Sequence, residues 1–178
     1  MSDEITGNMF YSFKEEAWHR LGTVSEKEEK AVEVLDDRFD GGYFMRLEPV
    51  TVTYNGSAQE TGDFAIIRGA TSTDFTEQVF GYVTGRFKPI QIRAIAETFD
   101  NMVKKPVETF GVLRDGRLVF ITWKQPTVEI VKWEHARYGA ISVGLDNKNG
   151  GKLFTCDTRI VCANTLSMAE GWAENKKK

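Results

Sequence analysis

Histidine and cysteine are scarce in this 178-residue chain, with two of each, and neither is arranged as a ligand set. His19 and His135 stand apart, and no HExxH or CxxC spacing occurs, so no protein-built metal site and no metal cofactor are expected. The phosphate-cradling and nucleophile motifs GxxxxGK[ST], GxGxxG and GxSxG are missing too, which removes the commonest nucleotide-binding and acyl-transfer readings. No segment approaches the roughly 18 consecutive apolar residues of a membrane helix. The opening MSDEITGN has neither the basic nor the apolar region of a secretory signal, so a cytoplasmic protein without membrane association is expected.

What is present suits one globular body. Hydrophobic residues make up 41% of the chain, enough for one sizeable core at this length, and a single domain over 1–178 is expected. The net charge of −3 is unevenly distributed. Residues 1–80 hold 7 basic and 16 acidic side chains (net −9), and residues 81–178 hold 16 and 10 (net +6). Such asymmetry marks either an anion-binding surface in the second half or merely two differently solvated faces. Cys156 and Cys162 share one alternating face with Phe154 and Ile160. On a continuous strand they would lie about 20 Å apart, too far to bridge, so buried inert thiols are expected.

Local patterns divide the chain further. The first forty residues read as acidic and helical: FKEEAWHRLG as a short helix ending at Gly22, and SEKEEKAVEVLDD as a second, opening with a Ser25–Glu28 capping-box spacing. From Tyr43 the period changes to two, through VTVTY to a turn at Asn55–Gly56. Further strands are expected over Phe64–Thr71, Val79–Arg86, Val107–Arg114, Arg117–Lys124, Thr127–Val131, Tyr138–Leu145 and Leu153–Cys162. Pro89–Lys105 reads as an amphipathic helix with Ile92, Ile95, Phe99, Met102 and Val103 on its apolar face. A final helix is expected at 164–174, capped by Asn164 or Thr165. Many strand signals joined by short loops predict an α+β fold, a largely antiparallel sheet with helices packed on one side.

Three stretches could hold an anion. In LRDGRLVF, Asp115–Gly116 suits a type I′ hairpin loop. Arg114 would then face Arg117, a like-charge pair that needs an offsetting anion unless both cations splay into water. TGRFKPIQIR interleaves Arg86, Phe87, Lys88 and Arg93 at the entrance to a helix. WKQPTVEIVKWEHARY sets Lys124, Lys132 and Arg137 beside Trp133 and Tyr138, the mixture of cations and flat rings that holds single-stranded nucleic acid; packing in a core is the competing role for each ring, Trp123 above all. Arg159, off the cysteine face, is a further candidate phosphate contact. Asp36, Asp37 and Asp40 lack partners at catalytic spacing and read as a solvated helix end. DNKNGG at 146–151 departs from a calcium loop and reads as a long hairpin turn. No catalytic residues are assigned.

Four motifs resemble one family. AWHRLGT at 17–23, VTGRFKPIQIR at 83–93, VETFGVLRDGRLVFITWKQP at 107–126 and TRIVCANTLSMA at 158–169 occur in the order found in the phage- and plasmid-like proteins called domain of unknown function 932. The resemblance implies a mobile element in a bacterial host, and a family whose members usually extend beyond the last motif; it transfers no catalytic residues. By analogy of setting and layout, the expected function is an oligomeric single-stranded DNA-binding or annealing protein of recombination. Its contacts would be Arg86, Phe87, Lys88, Arg93, Arg114, Arg117, Lys124, Lys132, Trp133, Arg137, Tyr138 and Arg159. The alternative is an interaction protein that binds and inhibits a host factor through the acidic Asp36–Asp40 region, as a DNA mimic.

Overall fold

Alternation of apolar and polar residues builds most of this chain, for which a computed structural model describes the backbone of residues 4–71, 76–130 and 133–175, with side chains described except at 127–130 and 133–135. Six strands form the larger sheet: β1 (Ile5–Phe13), β2 (Thr23–Ser25), β6 (Thr109–Leu113), β7 (Leu118–Ile130), β8 (Trp133–Gly144) and β9 (Gly151–Cys156). Their order is β2-β1-β6-β7-β8-β9, antiparallel throughout except for the short parallel pair β1–β2. A second, antiparallel sheet has the order β3 (Met45–Tyr54), β4 (Ser57–Arg68), β5 (Gln78–Thr84).

The helices are α1 (Ala31–Arg38), α2 (Ile92–Val103) and α3 (Ala163–Asn175). Period-two alternation sends Val119, Ile121 and Trp123 to one face of the large sheet, where they pack with Val34 and Leu35 of α1, Ile95 and Phe99 of α2, and Ile66 and Phe80 of the small sheet. Leu118 and Phe120 point the other way, against Leu166 and Ala169 of α3 and both cysteines. The fold is α+β as expected, but helices cover both faces of the large sheet rather than one. Trp123 is a core residue, its ring 5.7 Å from that of Phe99 in an edge-on contact. Met102, placed by periodicity on the buried side of α2, is exposed.

The N-terminal region departs most from its sequence pattern. Residues 5–13 form a strand in which Met9 and Tyr11 enter one core and Phe10 the other. FKEEAWHRLG ends that strand and becomes a loop, because tertiary partners outweigh a weak helix propensity. His19 Nε2 lies 2.9 Å from the Val161 carbonyl, and His19 Nδ1 accepts the Leu21 N–H at 3.0 Å. Gly22 is no helix cap: at φ +85°, a Cβ there would lie 2.0 Å from the Phe10 carbonyl oxygen. Helix α1 starts five residues later than the Ser25 box implies, with Lys30 as its N-cap. The Lys30 N–H donates to Glu33 Oε2 at 3.0 Å, and the Asp100 carboxylate of α2 accepts the Ala31 and Val32 N–H groups at 2.9 and 3.0 Å.

Two other boundaries move. The expected strands Arg117–Lys124 and Thr127–Val131, separated in the sequence reading by Pro126, merge into the single strand β7 over Leu118–Ile130, with Val131 outside the described residues. One extra residue on β7 between Gln125 and Val128 shifts the register there, and such a bulge accommodates a proline that has no N–H to donate. The expected strand Leu153–Cys162 instead ends at Cys156, and residues 157–162 turn towards α3. Both cysteines are free and buried. The N-cap of α3 is Cys162, whose carbonyl accepts the Leu166 N–H at 3.0 Å; Asn164 and Thr165, expected as caps, lie inside the first turn, from which the Thr165 hydroxyl reaches back to accept the Val161 and Cys162 N–H groups at 2.9 and 3.0 Å.

Both sheets put out a two-stranded ribbon. β3 and β4 continue past Asp63, where β5 stops pairing. β7 and β8 continue past Thr122 and Tyr138, the last partners of β6 and β9.

Candidate nucleic-acid interface

A turn forms at Asp115–Gly116 as expected, but the loop is wider than two residues: β6–β7 pairing ends at Leu113–Leu118, and Arg114, with φ 56°, has already left the strand. Asp115 and Gly116 have positive φ, 57° and 94°, and the Arg117 N–H closes the turn on the Arg114 carbonyl at 3.1 Å. The like charges beside it are offset from within the chain. Arg114 Nε donates to Glu4 Oε2 at 2.9 Å. Arg117 donates to the Phe80 and Val79 carbonyls at 2.8 and 3.3 Å, with its guanidinium 4.5 Å from the centre of the Phe80 ring. Tyr43 Oη donates to the Gly116 carbonyl at 2.6 Å, and Gly116 N–H donates to Thr6 Oγ1 at 2.8 Å. The tip therefore joins the two sheets, and both of its cations have partners within the chain. Burial holds the Tyr43 phenol above its ordinary range, keeping it a donor.

Arg159 is likewise turned inward. Its Nε donates to Glu108 Oε1 at 2.8 Å, and Nη2 donates to Ser12 Oγ at 2.7 Å and the Phe13 carbonyl at 3.0 Å. At 14% side-chain exposure it ties β1 to the turn before α3; it does not line an open groove. Arg93 is ion-paired with Asp36 across the α1–α2 contact, which raises the guanidinium further above its usual range. Arg137 lies 3.6 Å from Asp157 Oδ1. Lys132 lies outside the described residues; Trp133 is placed by its backbone alone, opposite Ile130.

Lys124 and Tyr138 are direct cross-strand partners at the root of the β7–β8 ribbon, with Lys124 exposed and Tyr138 half-buried. Burial first, and then the Glu108 charge, raise the Tyr138 phenol above its ordinary value. At the far end of β8 is a different group. Arg86, Phe87 and Lys88 follow β5; Arg86 and Lys88 are exposed, while Phe87 packs partly on the core. Phe87 and Ile90 form one side of a cleft of about 240 Å³ whose other side is the 145–151 turn, with Asn147, Lys148 and Asn149. No carboxylate lines this cleft. Lys148 is a cation the motifs do not single out, because DNKNGG reads as a turn; its signal is a lone lysine between two asparagines that comes to line a cleft with Phe87.

Thus the expected contacts among the described residues do not form one surface. Arg93, Arg114, Arg137 and Arg159 face carboxylates, Arg117 is spent on carbonyls, and Arg86 and Lys88, which follow β5, stand apart from Lys124 on β7. A larger cleft of about 490 Å³, between the start of α1 and the end of α2, mixes Lys27, Lys30, Lys104 and Lys105 with Glu33 and Asp100, so it has no single sign. Among the described residues no cluster of three or more histidine, cysteine or acidic side chains could hold a metal, and no helix is long and apolar enough to cross a membrane. No curated protein and no solved structure matches the chain. Its residues 79–177, which include the Phe87 cleft, the β6–β7 tip and α3, match a family model described as domain of unknown function, and the chain belongs to that family, DUF932.

Proposed function

We propose that this protein binds single-stranded nucleic acid in the service of a phage or plasmid, and that the phosphate backbone enters at the Phe87 cleft. The observation behind this reading is the cleft's charge: Lys148 lines it, the exposed Arg86 and Lys88 adjoin its Phe87 in the chain, and no lining residue is acidic, the buried Asp146 of the same turn accepting the Lys148 main-chain N–H. Cations free of carboxylate neighbours gain the most from releasing condensed counterions. Asn147 and Asn149 add side-chain donors, and Phe87 offers an apolar wall against which a base can lie. A second contact is proposed at the β7–β8 ribbon, where Lys124 faces Tyr138 and Trp133 opens β8. A strand bound at both places would run along β8.

Anisotropy of a labelled single-stranded oligonucleotide, read at low and at moderate salt, tests the reading. Binding should weaken steeply with salt. Lys148→Glu or Lys88→Glu should weaken it most, and Lys124→Glu less. Absence of binding at low salt would reject the proposal. Annealing of complementary strands, measured with the same protein, separates a recombination role from simple coating.

The second reading, a host-factor inhibitor, draws support from Asp37 and Asp40, which are exposed at the end of α1 while Asp36 is engaged by Arg93. Retention of a basic host protein on the wild type but not on Asp37→Lys, together with no oligonucleotide binding, would favour it.

A further inference from the structure

The β3–β4 ribbon has no core of its own. Residues 51–63 are all exposed, including Val52 at 49% and Tyr54 at 66%. A lone two-stranded ribbon is marginal in water. Natural edge strands are usually blunted with lysine or proline, yet from Val50 to Tyr54 the edge strand β3 reads VTVTY, with no charge and no proline.

We propose that this edge is a homodimer contact, in which β3 of one copy pairs antiparallel with β3 of a second copy about a two-fold axis at Val52. The backbone has the required phase. Thr61 Oγ1 donates to the Val50 carbonyl from the β4 side, so by strand alternation Val50, Val52 and Tyr54 direct their main-chain groups towards β4. Those of Thr51 and Thr53 face outward. Across the axis Thr51 meets Thr53 of the second copy, and the two exchange N–H···O bonds in both directions.

The side chains suit the same register. On one face Val52 meets its own copy and Val50 meets Tyr54; on the other, threonine meets threonine. β-branched, aromatic and threonine pairs of these kinds favour antiparallel pairing. Charge agrees as well: Glu48 falls opposite Gly56, so no two carboxylates confront one another. Self-complementarity of this kind is what an isologous interface demands. Five residues a side make a small contact, giving a concentration-dependent equilibrium rather than an obligate dimer. The inference is independent of nucleic-acid binding.

Sedimentation velocity over a concentration series tests it. The wild type should pass from monomer to dimer. Val52→Lys and Val52→Glu each set like charges face to face at the axis and should weaken the dimer by about a hundredfold or more, with unchanged circular dichroism because the site is exposed. Mixing the two variants should restore dimers, since lysine then faces glutamate. A wild type that stays monomeric at its highest soluble concentration would overturn the proposal. So would a dimer that survives either substitution, or variants that do not recombine on mixing.

Discussion

Arg159 meets Glu108 with Nε 2.8 Å from Oε1, and both side chains are largely withdrawn from water, at 14% and 11% exposure. The pair locks the segment before α3 against the start of β6, and it makes Arg159 a structural cation. Removing Arg159 would leave the Glu108 carboxylate charged, poorly hydrated and without its cation. Arg159→Ala should therefore cost about 3 kcal/mol of stability by urea unfolding. A double-mutant cycle with Glu108→Ala should show a coupling of about 1 kcal/mol or more, and oligonucleotide binding by the folded variant should not change.

Asp100 offers a test at the α1–α2 contact. Its carboxylate accepts two of the first N–H groups of α1, as a side-chain cap from another helix. Asp100→Ala should lower stability by about 1–2 kcal/mol in thermal unfolding. Asp100→Asn, which keeps an acceptor but loses the charge, should recover part of that.

Gly139 lies opposite Trp123 on β8, and a Cβ there would approach Trp123 Cζ2 to 2.1 Å, far inside contact distance. The indole covers the space a side chain would need. Gly139→Ala should cost about 1–3 kcal/mol and move the indole out of the core, visible as a red shift in tryptophan fluorescence.

Glu29 sets a pH dependence. Burial, the largest single influence on it, opposes ionisation, but the Arg38 guanidinium, 2.8 Å from Oε1, together with the nearby Ser25 and Tyr11 hydroxyls outweighs that and holds the carboxyl below its ordinary value. A carboxyl depressed by folding contributes stability that is present above the unfolded pKa, about 4.3, and is lost as pH falls through the folded value. Stability measured from pH 6 down to pH 3 should therefore decline, and Glu29→Gln should flatten that decline while lowering stability at neutral pH.

Much of the architecture can be read directly from residue order. The DG turn at 115–116, the amphipathic α2, the alternating strands and the existence of α3 are patterns whose cause lies within a few residues, in backbone sterics and in the periods 2 and 3.6. Where the cause is remote, the reading failed. Residues 5–13 became a strand because β6 lies beside them, and residues 13–22 gave up helix for contacts with Val161 and Phe10.

The candidate site divides along the same line. That the second half of the chain is cationic, and that Arg86, Lys88 and Lys124 are spaced among aromatic rings, is written in the residues themselves. Which of those charges face solvent depends on carboxylates that lie far off in sequence: Glu4 meets Arg114 across 110 positions, Asp36 meets Arg93 across 57, and Glu108 meets Arg159 across 51. An ion pair is a matter of a few ångströms in space, and no local pattern reports that distance until the sheets and helices have closed around it.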